Sequence, residues 1–293
     1  MPNTLLTAMP TDSLAPRGTI VFAHANGFPA ATYGALFDAW RSAGWRVHAP
    51  HRLGHDPAYP VTGNWPRLRD ELERFIEQRA AGGRVQLVGH SMGGFLSLLV
   101  ASHRPELVAG VVLLDAPLVA GWRAFGLRVA KRTGLLQRLS PAHAARSRRM
   151  HWPSPQAAHA HFAGRPLFAG WHPRPLQDYA QHGTEPDPGG GVRLAFRREI
   201  EARIYLTVPH HLPAVLRRQP LRCPVAYLGG TRSREGRQIG LAATRRLTQG
   251  RIGWIEGSHL FPMEQPAATA QAVLQWLAAA QANDAAPPPA QRR

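Results

Sequence analysis

A serine flanked by glycines is the first candidate for chemistry in this sequence. The pentapeptide 89–93 reads GHSMG, which places Ser91 two residues from a glycine on each side. A serine hydroxyl becomes a nucleophile towards an acyl carbon when a neighbouring base removes its proton. Glycines on both sides permit a tight turn in which the serine backbone adopts a sparsely populated conformation. The spacing therefore indicates a nucleophilic serine on a sharp turn.

The residues around this turn are those that such a serine needs. Residues 85–88 (VQLV) have the composition of a buried strand, and residues 95–101 (FLSLLVA) form an apolar run typical of a buried helix. The backbone amide of Met92 would lie at the helix N-terminus, where negative charge is favoured. We therefore expect Ser91 at the carboxyl end of a strand, directly before a helix.

A serine of this kind requires a histidine base, and His259 is the strongest candidate among fifteen histidines. It follows the predicted strand 251–255 on a short loop that contains Gly257 and Ser258, and it precedes an apolar helix. The imidazole must in turn be held by a carboxylate, which fixes the tautomer and stabilises the imidazolium. We predict that His259 is the base.

Two carboxylates are candidates for the acid. Asp115 ends the strand that follows the Ser91 strand in the chain, so its side chain should emerge at the same sheet edge as Ser91. Glu235 comes after the strand 224–228, just beyond Ser233, which cannot supply negative charge. We predict Asp115; the alternatives are that it only caps a turn and that Glu235 is the acid.

The elements that position these residues alternate between strand and helix in two blocks. The pattern over 1–117 and 219–280 predicts an α/β fold, a mostly parallel sheet flanked by helices. Between these blocks, residues 118–218 show irregular helical patterning. We expect a mainly helical insertion that covers the serine. The tail 281–293 is too poor in apolar residues to pack, so disorder is expected. The predicted strands are 19–23, 45–49, 85–88, 108–114, 224–228 and 251–255, and the predicted helices outside the insertion are 33–43, 66–80, 235–247 and 264–280.

Over nearly its whole length the chain resembles the α/β-hydrolase superfamily, in particular its lidded serine hydrolases. The matching pieces are 24–29 (HANGFP) after the first strand, 89–94 (GHSMGG) at the turn, Asp115, and 257–259 (GSH) near the end. They stand in the family order of serine, acid and histidine. The resemblance implies a cofactor-free serine hydrolase that cleaves a carboxylic ester or related acyl substrate through an acyl-enzyme on Ser91.

The resemblance also implies an oxyanion hole made of two backbone amides. One is that of Met92, which follows the nucleophile. The second should lie in 24–29: aligning His24 and Ala25 with the family's His-Gly pair nominates Asn26, whereas another alignment nominates Phe28. We favour Asn26.

Two alternatives to an esterase stay open. The same residues would serve acyl transfer or carbon-carbon bond hydrolysis, because these reactions share the catalytic groups. The other alternative is a non-catalytic binding protein on the hydrolase fold, and its best support is Ser233, which stands where many relatives carry their acid.

The charge of the chain bears on its partners. The formal net charge is +17, but the basic residues are scattered, and their densest cluster, Arg146, Arg148 and Arg149, has no matching set of stacking aromatic residues. We therefore expect no nucleic-acid partner. Residues 118–218 contain sixteen Arg and Lys against five Asp and Glu, a net of +11. Positive potential around a cleft concentrates anions, so the acyl substrate is hypothesised to be a small anionic molecule.

The composition of the chain also indicates its cellular compartment and whether it binds a metal or cofactor. No apolar run approaches the about 20 residues that span a bilayer, and residues 1–18 lack the pattern of a signal peptide. The single cysteine, Cys223, excludes an internal disulfide, so a cytoplasmic protein is expected. Two pairs of histidines could suggest metal binding, His159 with His161 and the pair at 210–211. Neither pair has carboxylate or cysteine partners at the spacing of metal ligands, so we expect no metal and no cofactor. The sequence predicts no oligomeric state.

Overall fold

The central sheet is parallel throughout. We describe the protein from a computed structural model, over residues 16–80 and 82–285. Six strands of these residues form the sheet, in the order β2-β1-β3-β4-β8-β9, and every neighbouring pair is parallel. The strands are β1 (Thr19–Ala23), β2 (Arg46–His48), β3 (Val85–His90), β4 (Val108–Leu114), β8 (Val225–Gly230) and β9 (Ile252–Ile255). The predicted α/β class and mostly parallel sheet are confirmed.

Helices cover both faces of this sheet. On one face α1 (Gly34–Ser42), which follows a short 3-10 helix, packs beside α14 (Pro266–Ala285). On the other face α2 (Pro66–Arg79) packs beside α3 (Met92–His103). The near-continuous apolar runs of the strands follow from this arrangement, because successive residues such as Leu87 and Val88 enter the cores on opposite faces.

The second block differs from its predicted helices in two places. The predicted helix 235–247 is two helices, α11 (Arg234–Ile239) and α12 (Ala242–Leu247), because Gly240 adopts φ 73° between them. The helix predicted from 264 begins earlier as α13 (Phe261–Glu264) and then restarts at Pro266, the first residue of α14. Since α14 continues to Ala285, the predicted tail 281–293 begins inside a helix, and its remainder lies outside the described residues.

Residues 118–218 lie between β4 and β8 in the chain, and we call them the inserted segment. Its helices are α4 (Gly121–Arg132), α5 (Leu136–Leu139), α6 (Ala142–Arg146), α7 (Pro155–Ala163), α8 (Pro173–His182), α9 (Arg198–Thr207) and α10 (Leu212–Arg218). The segment also holds a small antiparallel sheet that the sequence did not predict, formed by β5 (His151–Trp152), β7 (Val192–Leu194) and β6 (Thr184–Pro186). Strands of two or three residues are too short to show an alternating pattern.

Within residues 16–80 and 82–285, no helix combines the length and the apolar character needed to cross a bilayer.

Candidate active site

Ser91 lies on a strained turn between β3 and α3. Its backbone has φ 51° and ψ −111°, a conformation that L-residues rarely adopt. The flanking glycines are required: a Cβ at Gly89 would lie 2.4 Å from the carbonyl of Gly93, and a Cβ at Gly93 would lie 1.9 Å from the carbonyl oxygen of Ala23. The Ser91 amide donates to the carbonyl of Leu114 at 2.9 Å, which ties the turn to the end of β4.

His259 lies on the loop between β9 and α13 and contacts two carboxylates. Its Nδ1 is 2.6 Å from Oδ2 of Asp115 and 3.8 Å from Oε2 of Glu235. The Asp115 side chain is completely buried, whereas that of Glu235 is 44% exposed. His259 and Asp115 are therefore directly hydrogen-bonded, whereas Glu235 lies further from the ring and closer to solvent.

The Asp115 carboxylate is the centre of a dense set of hydrogen bonds. The residue has φ 43°, which Asp tolerates better than most residues, at the end of β4. Its oxygens accept from four donors: the His259 ring, the Tyr227 hydroxyl, the Gly230 amide and the Ser233 hydroxyl. Ser233, which follows the neighbouring strand β8, thus helps to hold the Asp115 carboxylate.

The hydrogen bond between His259 and Asp115 shifts the pKa of each group in the direction that favours an ion pair. Burial alone would raise the pKa of Asp115, but the hydrogen bond from His259 and those from Ser233 and Gly230 outweigh it, and the pKa is lowered. Burial alone would lower the pKa of His259, but the hydrogen bond to Asp115 and the charge of Glu235 outweigh it, and the pKa is raised. A proton taken up by His259 is therefore stabilised by an ionised Asp115.

A chain of hydrogen bonds behind the serine joins the first loop to the His259 loop. The Ala25 amide donates to the Tyr33 hydroxyl at 3.3 Å, and that oxygen lies 2.7 Å from Nδ1 of His90. Nε2 of His90 lies 2.9 Å from the His259 carbonyl oxygen, which can only accept. Since burial lowers the pKa of His90 to about 3, the ring is neutral, donates from Nε2 and accepts from the Tyr33 hydroxyl at Nδ1.

No hydrogen bond among the described residues joins the Ser91 hydroxyl to the His259 ring. The two loops instead meet through His90, the residue before the serine. Sequence reasoning missed Tyr33 and His90, because nothing in their spacing links a helix start to a strand end.

The loop after β1 presents a free amide at Asn26. The Phe28 amide donates to the Ala25 carbonyl at 3.3 Å, so it is occupied within the loop. Within the described residues, neither the Asn26 amide nor the Met92 amide has a hydrogen-bond acceptor. The Asn26 side chain donates to the Glu201 carbonyl oxygen at 2.9 Å, which fixes the loop against the inserted segment.

An ion pair of the inserted segment lies directly beside this loop. Nη1 of Arg148 is 2.6 Å from Oε2 of Glu201, and the same guanidinium donates to the Tyr179 hydroxyl. A Cβ at Gly27 would lie 2.8 Å from Oε1 of Glu201, so glycine with φ 85° is what lets the pair approach. The sequence showed Arg148 only as one of a basic cluster, because its partner Glu201 lies far along the chain, on α9.

A cation could be held at one place in this site. Asp115, Glu235 and His259 each offer one possible metal-ligand atom, and these three atoms lie within 4.8 Å of one another. The hydrogen bond from His259 to Asp115 already accounts for most of this proximity.

A parallel sheet that carries a serine on a strained strand-to-helix turn, with a histidine after its last strand, defines the α/β-hydrolase class of fold. The comparison with protein families agrees: residues 20–272 match the model of the Alpha/beta hydrolase family, and the chain belongs to that family. The predicted family is thereby confirmed.

Individual relatives match over shorter stretches. A pyrethroid hydrolase of Sphingobium wenxiniae is 36% identical over 95 residues, 31% of this chain and 32% of its own. The monoglyceride lipase of Mus musculus is 31% identical over 110 residues, 36% of this chain and 36% of its own. The chain thus spans about a third of the length of the curated relatives that it matches.

Solved structures are similar over nearly the whole chain. E-2-(acetamidomethylene)succinate hydrolase superposes with a TM-score of 0.69 at 22% identity, covering 89% of this chain and 91% of its own. The thioesterase domain from the curacin biosynthetic pathway gives a TM-score of 0.68 at 20% identity, covering 89% and 92%. At this identity the likeness establishes the fold.

Proposed function

We propose that the protein is a serine hydrolase that cleaves a carboxylic ester or a related acyl substrate. The observation that carries this proposal is the hydrogen bond from His259 to the buried Asp115, at the sheet edge where Ser91 stands on its strained turn. A carboxylate so placed orients an imidazole for proton transfer.

In the proposed reaction the Ser91 oxygen attacks the acyl carbon while Nε2 of His259 takes the hydroxyl proton. The resulting imidazolium is stabilised by Asp115, which stays ionised because its pKa is lowered. Return of the proton to the leaving group breaks the ester bond and leaves an acyl-enzyme. Water, deprotonated by His259, then attacks the acyl carbon, and the acid product departs from the restored serine.

The oxyanion of both tetrahedral intermediates is assigned to the amides of Met92 and Asn26. Met92 is the first residue of α3, where the helix N-terminus favours negative charge. The free Asn26 amide and the engaged Phe28 amide support Asn26 over the alternative. Two preorganised donors of this kind account for a large share of the rate enhancement in acyl transfer.

We also propose that the inserted segment, 118–218, is a lid over the serine. The contact of Glu201 with the Asn26 side chain, and the Arg148–Glu201 pair beside Gly27, support this role. A lid excludes water and so strengthens the electrostatic interactions beneath it.

The substrate is proposed to be a small acyl compound with a negative charge. The support is the net charge of +11 over 118–218. A neutral and an anionic ester of equal acyl length distinguish the cases: only the anionic ester should lose kcat/KM as salt is raised, and equal losses would contradict the idea.

The experiment that tests the proposed activity is turnover by single variants. Ser91→Ala and His259→Ala should each reduce ester kcat by at least about a thousandfold, because the groups act as a unit. Ser147→Ala and His143→Ala, at exposed positions of the inserted segment, are the matched controls and should keep the wild-type rate. A Ser91 or His259 variant that is folded and keeps more than about a tenth of the rate would remove that residue from the mechanism.

A further inference from the structure

Helix α4, the first of the inserted segment, exposes its large apolar side chains. Trp122 is 74% exposed, Phe125 64% and Val129 41%. At this spacing the three lie along one side of the helix, and we call them the apolar stripe. Every residue of α4 is described, and none of them is buried. A surface helix of a globular protein normally turns such a stripe inward, so this helix is turned outward.

The polar residues of α4 attach it to the protein instead. Nε of Arg123 donates to the Gln238 carbonyl at 2.8 Å. Nζ of Lys131 donates to Oδ1 of Asn64 at 2.9 Å and to the Val208 carbonyl at 3.0 Å. These bonds near the two ends of the helix attach it to the protein, and the stripe is left facing solvent. The Arg123 guanidinium also stacks on the Trp122 ring, with its Cζ 4.5 Å from the ring centroid.

The segment of the chain that carries the apolar stripe is rich in positive charge. The sequence has no Asp or Glu between Asp115 and Asp178, and ten Arg and Lys lie in that interval. Arg128 and Arg132 of α4 are exposed, and Arg138 of α5 is exposed as well. Among the described residues, none of these three arginines forms a salt bridge.

We propose that α4 docks on the surface of an anionic phospholipid bilayer. The apolar stripe would enter the interface between headgroups and acyl chains, while Arg128 and Arg132 would contact lipid phosphates. An exposed tryptophan suits this depth, because its ring is apolar and its N–H is polar. A second copy of the chain fits the surface poorly, because a two-fold contact through α4 would bring unpaired arginines of both copies together.

Binding to vesicles tests this proposal without using the enzymatic activity. The whole protein is mixed with vesicles of phosphatidylcholine alone and of phosphatidylcholine with about 30% phosphatidylglycerol, and the bound fraction is measured by flotation. We expect binding to the anionic vesicles, with little binding to the neutral ones and a marked loss as salt is raised from about 0.05 to about 0.5 M.

Two sets of variants locate the contact. Trp122→Ala with Phe125→Ala should weaken the vesicle partition coefficient by about tenfold or more, because both side chains lose their apolar burial. The matched control is Trp254→Ala with Leu167→Ala, at positions that are 49% and 55% exposed elsewhere, and it should bind like wild type. Arg128→Gln and Arg132→Gln should each cost about fivefold.

Three results would overturn the proposal. The first is no binding of wild type to anionic vesicles at low salt, which needs no variant. The second is equal binding by the stripe variant and its control. The third is that the wild type sediments as a dimer which the stripe variant abolishes while vesicle binding is unchanged; a second copy would then be the partner.

Discussion

At the scale of single residues, the carboxylate proposed as the acid follows β4, and Ser233 lies after the neighbouring strand β8. Asp115 directly follows β4 and accepts a hydrogen bond from His259, while Ser233, after β8, donates to the Asp115 carboxylate. Because β4 and β8 are adjacent and parallel, their carboxyl ends meet at one edge, and either can reach the histidine. A carboxylate could therefore reach His259 from the end of either strand, and in this chain Asp115 does so from the end of β4.

The two carboxylates near His259 are distinguished by substitution. Asp115→Asn should lower ester kcat by several decades, because the amide favours the wrong tautomer of His259. Glu235→Gln should change kcat by less than about fivefold, since its oxygen is 3.8 Å from Nδ1 and half in solvent. Steady-state kinetics on folded variants measures both, and the reverse ranking would make Glu235 the acid.

The pH profile reports the charge near His259. The base must be neutral, and its pKa is raised above the ordinary 6.5, so the acid limb of kcat/KM should lie above pH 6.5. Glu235→Gln removes a carboxylate that favours the protonated ring, and the limb should move to lower pH. Glu106→Gln, at an exposed position remote from the site, should leave it in place. An acid limb below pH 6.5 in wild type would contradict this assignment.

At the scale of elements, the position of Ser91 depends on glycines as well as on the strands of the sheet. Gly93, the second residue of α3, lies against the carbonyl of Ala23, and a Cβ at this position would leave no room between β1 and the start of the helix. The end of β1, from which the Asn26 loop departs, therefore lies against the first turn of α3.

Replacing Gly93 tests how tight this contact is. In Gly93→Ala the new Cβ would lie 1.9 Å from the Ala23 oxygen, so β1 and α3 must separate. We expect a loss of at least about 3 kcal/mol in the free energy of unfolding, measured with urea. Gly126→Ala in α4, where nothing lies within 4 Å, should instead gain about 0.5–1 kcal/mol. Equal stability of Gly93→Ala and wild type would show that the strand can shift without cost.

The elements that could be predicted are those whose sequence pattern is local. β4 was predicted with its observed bounds because seven consecutive apolar or small residues admit few alternatives. The break between α11 and α12 was missed, because Gly240 alone does not end a helical pattern, and the small sheet β5-β7-β6 was missed because its strands are too short.

The residues of the site also differ in whether a local sequence pattern reveals them. Ser91 and His259 could be nominated because each stands in a local context of strand, turn and helix. The Tyr33–His90 and Arg148–Glu201 contacts join residues 57 and 53 positions apart, and no local pattern encodes them. Such contacts depend on how the elements pack, which the sequence shows only indirectly.

At the scale of the whole molecule, a buried ion pair within the inserted segment lies against the loop that follows β1. Arg148 and Glu201 have side chains that are 20% and 9% exposed, and their pair lies beside Gly27. A buried carboxylate that loses its cation is costly, because it is neither hydrated nor paired.

This pair predicts a stability effect that a double variant should relieve. Arg148→Met leaves Glu201 unpaired and should cost about 3–5 kcal/mol in urea unfolding. Arg148→Met with Glu201→Gln should recover much of that loss, because the second change removes the unpaired charge. Arg146→Met, at the exposed last residue of α6 two positions before Arg148, is the control and should be neutral within about 0.5 kcal/mol. A loss that the double variant fails to relieve would exclude charge as its cause.

The central claim is that Ser91 is a nucleophile activated by His259, and covalent labelling measures this most directly. A fluorophosphonate reacts with such a serine through attack at phosphorus and loss of fluoride, leaving a stable adduct that intact-mass and peptide mass spectrometry locate. We predict one adduct per chain, on Ser91, with none in Ser91→Ala and a rate reduced by at least about a thousandfold in His259→Ala. A folded wild-type protein that takes up no label, or takes it up at another serine, would contradict the account.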